Sequence, residues 1–226
     1  MRSYFDRLLK FYSGSLRYDR RELIADAMIP SEASIRPQSN ERYDSSAIDY
    51  LTGITAYGDI NQGRVWQASY KQLLSQSHDL LFINAHGARE FHYPCTSEGC
   101  VNSSFIQKAS PNAQLVVAIS CNIGNFMTSG SPMVSYVFSG NSLAGLGAEM
   151  PYVDVNGNTA KSALRDLSNG FAIGDVARKW GFVVIGDPFL KLHHANSGPT
   201  TTVRPSETET NAPPETLTSC GEITKG

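Results

Sequence analysis

Asp79-Leu80-Leu81-Phe82-Ile83-Asn84-Ala85-His86-Gly87 decides the fold, and Gln114-Leu115-Val116-Val117-Ala118-Ile119-Ser120-Cys121-Asn122-Ile123-Gly124 repeats its pattern. Each is an unbroken apolar run halted by a small or polar turn. A strand with one wet face alternates apolar and polar residues. A run without alternation has no wet face, as in a strand covered on both sides of a mostly parallel sheet. Working outward, Arg21–Ala27 reads as a short buried strand, residues 51–57 as another, and residues 64–76 as a helix marked by Trp66, Tyr70, Leu73 and Leu74. Ser142–Ala148 is an apolar run interrupted by glycine, and residues 162–180 are helical around a break at Asn169-Gly170. Phe182-Val183-Val184-Ile185 is a last strand, stopped by Gly186-Asp187-Pro188. Strands alternating with helices predict a three-layer α/β/α domain with a mostly parallel central sheet.

The composition agrees with a packed core. The chain has 226 residues, 41% hydrophobic and 10% aromatic, enough for one domain or two small ones. Lys and Arg number 19 against 21 Asp and Glu, a net charge of −2, and no basic stripe suggests nucleic acid. No apolar run approaches the ~20 residues of a membrane-spanning helix. The amino terminus lacks the apolar stretch of a secretory leader. Tyr4, Phe5, Leu8, Leu9 and Tyr12 recur there at helical spacing, predicting an amphipathic helix that docks on the adjoining domain, or a chain that is a piece of a longer protein. Residues 30–46 read as a long polar loop. From Asn196 to Gly226, Thr, Ser, Pro and Glu dominate, with Val203, Leu217 and Ile223 the only large aliphatic residues. Such a stretch cannot bury enough apolar area to offset its ordering entropy. The expected division is a folded domain over 1–195 and a disordered tail or linker over 196–226.

Ligands in open α/β sheets gather at the carboxyl ends of the strands. His86 and Cys121 both fall at such ends. If their strands are neighbours, a thiol and an imidazole emerge side by side, the pairing that activates a cysteine nucleophile. Gly87 and Gly124 permit tight turns whose N–H groups could hold a developing oxyanion. The plainer alternatives are a small apolar filler at Cys121 and a satisfied imidazole at His86. The four cysteines, Cys95, Cys100, Cys121 and Cys220, are too few for a disulfide scaffold. Cys95 and Cys100 are close enough for a local bridge. With His86 and His92 they also reach the count for a structural zinc site, though without a Cys-x-x-Cys knuckle.

Residues 80–87 and 116–126 resemble the histidine and cysteine blocks of the gingipain family, caspase-fold cysteine peptidases. Residues 167–177 are similar to that family's late helix, and Val184-Ile185-Gly186-Asp187-Pro188-Phe189-Leu190-Lys191-Leu192 to its closing strand and turn. The caspase signature is absent: no Gln-Ala-Cys is present, and His86 precedes Cys121 by 35 residues rather than ~50. The resemblance covers roughly 1–192 and is closest from Asp79 onward. It implies a caspase-like fold and an endopeptidase in which Cys121 is the nucleophile and His86 the general acid/base. The N–H groups of Gly87 and Cys121 would then form the oxyanion hole. It also implies a third polar residue near the end of the first strand, with Asp26 the candidate and Glu32 the second choice. Polypeptide substrates, no required cofactor, room for structural calcium, and export from a bacterium are implied by the same resemblance. So is a set of candidate acids for a basic-residue pocket, Asp44, Asp59 and Asp154. The chain departs from the family in a shortened helix after Phe126, in the Cys95–Cys100 loop, and in lacking an upstream strand layer. A catalytically silent caspase-like binding module is the alternative, against which stands the presence of both His86 and Cys121.

Overall fold

The structure, a computed structural model, describes residues 2–19, 21–27, 52–55, 63–96, 99–149 and 158–192. At its centre β3 (His78–Ala85) and β6 (Ala113–Ile119) are buried at every position. They pair in parallel, from His78 with Ala113 to Asn84 with Ile119. β1 (Arg21–Ala27) flanks β3, and β2 (Thr52–Thr55) lies beyond β1. On the other side β7 (Ala144–Gly147) pairs with β6, and β8 (Val183–Gly186) closes the edge. The order is β2-β1-β3-β6-β7-β8, and β8 is antiparallel. Two helices, α5 (Asn158–Ser168) and α6 (Ile173–Trp180), separate β7 from β8. One crossover helix returns a chain for a parallel strand. A second carries it back again, so β8 runs the other way.

Two apolar clusters fill the two faces. Leu81, Ile83, Val116 and Ala118 pack with Tyr70 and Leu74 of α2 (Gly63–Leu74), Ile106 of α3 (Ser103–Ala109), and Met133 and Tyr136 of α4 (Pro132–Phe138). Leu80, Phe82, Leu115, Val117 and Ile119 face Leu164 and Leu167 of α5 and Ile173 and Val176 of α6. Each fully buried Leu, Ile, Val, Phe or Met among them contributes about 1.5–3 kcal/mol. Unbroken apolar strands are what this double coverage requires, and the three-layer expectation holds.

The first helix corrects its expected face. α1 (Arg2–Tyr12) buries Tyr4 in one cluster and Phe11 in the other, with Leu8 against both. Phe5, Leu9 and Tyr12 are exposed. Residues 4, 8 and 11 form one helical stripe and residues 5, 9 and 12 the next. Both are apolar, and the sheet takes only the first. The Tyr4 hydroxyl donates to Leu143 O at 2.6 Å, and Arg7 Nη2 donates to Val137 O at 3.0 Å, docking α1 at the β8 end.

Between β3 and α3 stands a hairpin that the sequence pattern did not foretell: β4 (Phe91–Thr96) paired with β5 (Gly99–Asn102). Pro94 breaks any simple alternation in β4, which masks its strand character. Cys95 and Cys100 occupy paired positions and form a disulfide, one of the arrangements the sequence left open. The Asn102 side chain then caps α3 by accepting the Phe105 N–H at 3.0 Å. Among the described residues no helix is long and apolar enough to cross a membrane. The loop expected at 30–46 and the tail expected at 196–226 lie outside the described residues.

Candidate active site

β3 and β6 deliver the two reactive residues to one edge. β3 ends at Ala85 and β6 at Ile119, so His86 and Cys121 both lie in the turns just beyond the carboxyl ends of neighbouring parallel strands. The two turns touch: a Cβ at Gly87 would collide with Ser120 Oγ and lie 3.1 Å from Phe91 O, so only glycine lets the histidine turn settle against the cysteine turn. Past Cys121 the chain coils tightly, with the Asn125 N–H donating to Asn122 O at 3.0 Å. Asn122 has φ of 55°, in the left-handed region that asparagine tolerates better than most residues. The Gly124 N–H donates to Ala148 O at 2.7 Å, anchoring the coil to the end of β7. A Cβ at Gly124 would lie 2.6 Å from Gly147 O, again a contact only glycine allows.

The histidine turn is held from the other side by the hairpin. The Ala88 N–H donates to Phe91 O and the Tyr93 N–H to His86 O, both at 2.8 Å. These bonds straddle Gly87, whose own N–H takes part in neither. His86 is exposed, and its ring meets the Tyr93 ring edge-on, centroids 6.2 Å apart at 76°.

Behind the hairpin lies a buried polar chain. His92 is fully buried, with Nδ1 2.7 Å from Tyr93 O and Nε2 2.6 Å from the Tyr136 hydroxyl. A carbonyl only accepts, so Nδ1 carries the proton and Nε2 accepts from Tyr136. The Tyr136 oxygen in turn lies 2.8 Å from the Tyr70 hydroxyl. Desolvation pushes the His92 pKa down to about 4, against a smaller opposing effect of its bond to Tyr93, so the ring is neutral near pH 7. Burial also raises the Tyr70 and Tyr136 hydroxyls above their ordinary range.

His86, Gly87 and Cys121 are brought to one edge of the sheet. Cys121 is 3% exposed yet belongs to neither apolar cluster, and it is disulfide-bonded. A disulfide partner necessarily covers part of the sulfur, and nucleophilic attack requires its reduction to a thiolate. Asp26 pairs with Asn84 on the side of β3 remote from β6, two residues short of the His86 level. Glu32, Asp44, Asp59 and Asp154 lie outside the described residues. The possible zinc set is not assembled: Cys95 and Cys100 bond to each other, and both nitrogens of His92 are engaged. Among the described residues no three His, Cys, Asp or Glu side chains are grouped to hold a metal ion.

Sequence reasoning missed Ser120, Asn122 and Tyr93. Ser120 Oγ is buried without a hydrogen-bond partner, directly under the Gly87 turn. Asn122 carried a signal, since asparagine after a strand end suits a left-handed turn. Tyr93 carried none, because its place beside His86 depends on the hairpin. No family model and no curated protein matches the chain.

Proposed function

We propose that this protein is a cysteine endopeptidase of caspase-like fold, akin to the gingipain family, acting through Cys121 and His86. The observation that carries this reading is the parallel pairing of β3 with β6, just beyond whose carboxyl ends His86 and Cys121 both fall, where parallel sheets bind ligands. Once reduced, the Cys121 thiolate attacks the scissile carbonyl carbon, and the carbonyl oxygen becomes an oxyanion held by the N–H groups of Gly87 and Cys121. On collapse the C–N bond breaks and His86 gives a proton to the leaving amine. Water then attacks the thioester, losing a proton to His86, and the C–S bond breaks to release the acid and the thiolate. Polypeptides are the substrates. The chemistry needs no cofactor, and a structural calcium ion and an exported setting remain part of the proposal through the family resemblance alone.

A positional peptide library incubated with the reduced wild type and with Cys121→Ala tests the activity. Cleavage by the wild type that Cys121→Ala lowers by at least about a thousandfold supports it. Absence of cleavage in both, with Cys121 alkylated no faster than a denatured control thiol, overturns it. The burial and disulfide bonding of Cys121 favour one second reading, a catalytically silent caspase-like binding module. Partners that co-purify equally with wild type and Cys121→Ala, in the absence of any cleavage, would select it.

A further inference from the structure

Catalytic histidines ordinarily need an orienting partner, because an imidazole free to rotate presents the wrong atom most of the time. In the Ser-His-Asp arrangement that partner is a carboxylate bonded to the far nitrogen. Among the described residues no side chain hydrogen-bonds the His86 ring, and the Asp26 backbone lies two residues short of its level on β1. The ring contact that His86 does make is with Tyr93. Tyr93 is gripped at both of its backbone polar groups: its N–H donates to His86 O, and its carbonyl accepts from His92 Nδ1. His92 is locked in turn by Tyr136 and, through it, Tyr70, which bring α4 and α2 to bear on the same strand.

We infer that Tyr93, clamped by the buried His92–Tyr136–Tyr70 chain, is a positioning residue that orients the His86 imidazole. The inference rests on the proposed peptidase site for its catalytic meaning, while the ring contact can be tested without any activity. Three features support it. The contact is edge-on, the arrangement favoured by the charge distribution of aromatic rings. The backing chain is continuous and directional: Tyr70 donates to Tyr136, Tyr136 to His92, and His92 to the Tyr93 carbonyl. Finally, all three side chains of that chain are completely buried, so water does not compete for these bonds. No hydrogen bond joins the Tyr93 hydroxyl to the His86 ring, so a phenyl ring should serve as well.

The test compares Tyr93→Phe, Tyr93→Ala and Tyr136→Phe in the full chain under reductant, each checked for retained fold by circular dichroism. The His86 Cε1–H resonance, assigned with His86→Gln, reports ring orientation through the ring current of residue 93. Tyr93→Phe is expected to keep the wild-type shift, while Tyr93→Ala moves it towards the free-histidine value. Tyr136→Phe, which removes the proton donated to His92, is expected to broaden or shift it. In peptide hydrolysis Tyr93→Ala should lower kcat about tenfold to a hundredfold with KM within about twofold, and Tyr93→Phe should restore kcat. A His86 resonance unmoved by Tyr93→Ala, or a Tyr93→Ala enzyme with wild-type kcat, overturns the assignment. If the wild type cleaves nothing, the peptidase reading fails, and the resonance alone decides whether Tyr93 orients His86.

Discussion

At Glu22 the sheet buries a carboxyl group in β1, and desolvation raises its pKa from 4.5 to about 8. The folded protein therefore holds a proton that the unfolded chain releases. Glu22's contribution is fully present below about pH 4.5 and is lost as pH rises through about 8. His92 acts at the other end of the scale. Its pKa falls from 6.5 to about 4, so the unfolded chain takes up the proton first and stability is lost as pH drops through that window. Glu22→Gln should flatten the alkaline arm: the fall in Tm between pH 6 and pH 9 shrinks by several degrees, measured by calorimetry. An unchanged fall would mean that Glu22 is not the group responsible. At this scale the sequence showed where two reactive side chains fall. His86 and Cys121 each end an unbroken apolar run, and such runs point to the ligand-binding edge of a parallel sheet. Tyr93 and His92 were illegible because their roles arise from cross-strand pairing and from helices far away in the chain. For Cys95 and Cys100 the sequence left a bridge, a shared metal and two free thiols open, because closeness in sequence permits all three and only the pairing of β4 with β5 selects the bridge.

The elements that carry the site meet through glycines. Gly124 backs onto Gly147 and Ala148, so Gly124→Ala must push the coil after Cys121 away from β7. The expected outcome is loss of about 1–3 kcal/mol of stability and a larger proportional loss of hydrolysis, read by denaturant titration and peptide assay. A variant equal to the wild type in both would show that the coil is not held there. α1 offers a cleaner measurement. Tyr4→Phe removes one buried hydrogen bond and leaves Leu143 O with only the longer bond from the Asp187 N–H, which costs about 0.5–1.5 kcal/mol, read by denaturant titration. The helix itself was legible from its apolar spacing, but its buried face was not. Two adjacent stripes were equally apolar, and only the position of the sheet chose between them. The β4–β5 hairpin was hidden by Pro94 and by the shortness of its strands.

For the whole molecule, alternation of buried strands and helices was enough to predict three layers, because a strand without a wet face must be covered twice. The reversal of β8 was not legible, since it arises from the pairing of α5 with α6 between β7 and β8. α1 covers part of both apolar clusters, Tyr4 packing in one and Phe11 in the other. Deleting residues 1–14 is expected to expose apolar side chains that Tyr4 and Phe11 cover and to produce concentration-dependent aggregation in light scattering, as exposed apolar patches do. A monodisperse truncated monomer would assign α1 a lesser part.

The central claim is that Cys121 and His86 form one reactive centre at the ends of β3 and β6. It is tested most directly by reacting the reduced protein with a peptidyl electrophile and mapping the adduct by mass spectrometry. One adduct per chain at Cys121, formed much faster than on Cys95, Cys100 or a denatured control and slowed by His86→Ala, is the predicted result. Labelling of Cys121 at the denatured rate, or labelling indifferent to His86→Ala, would contradict it.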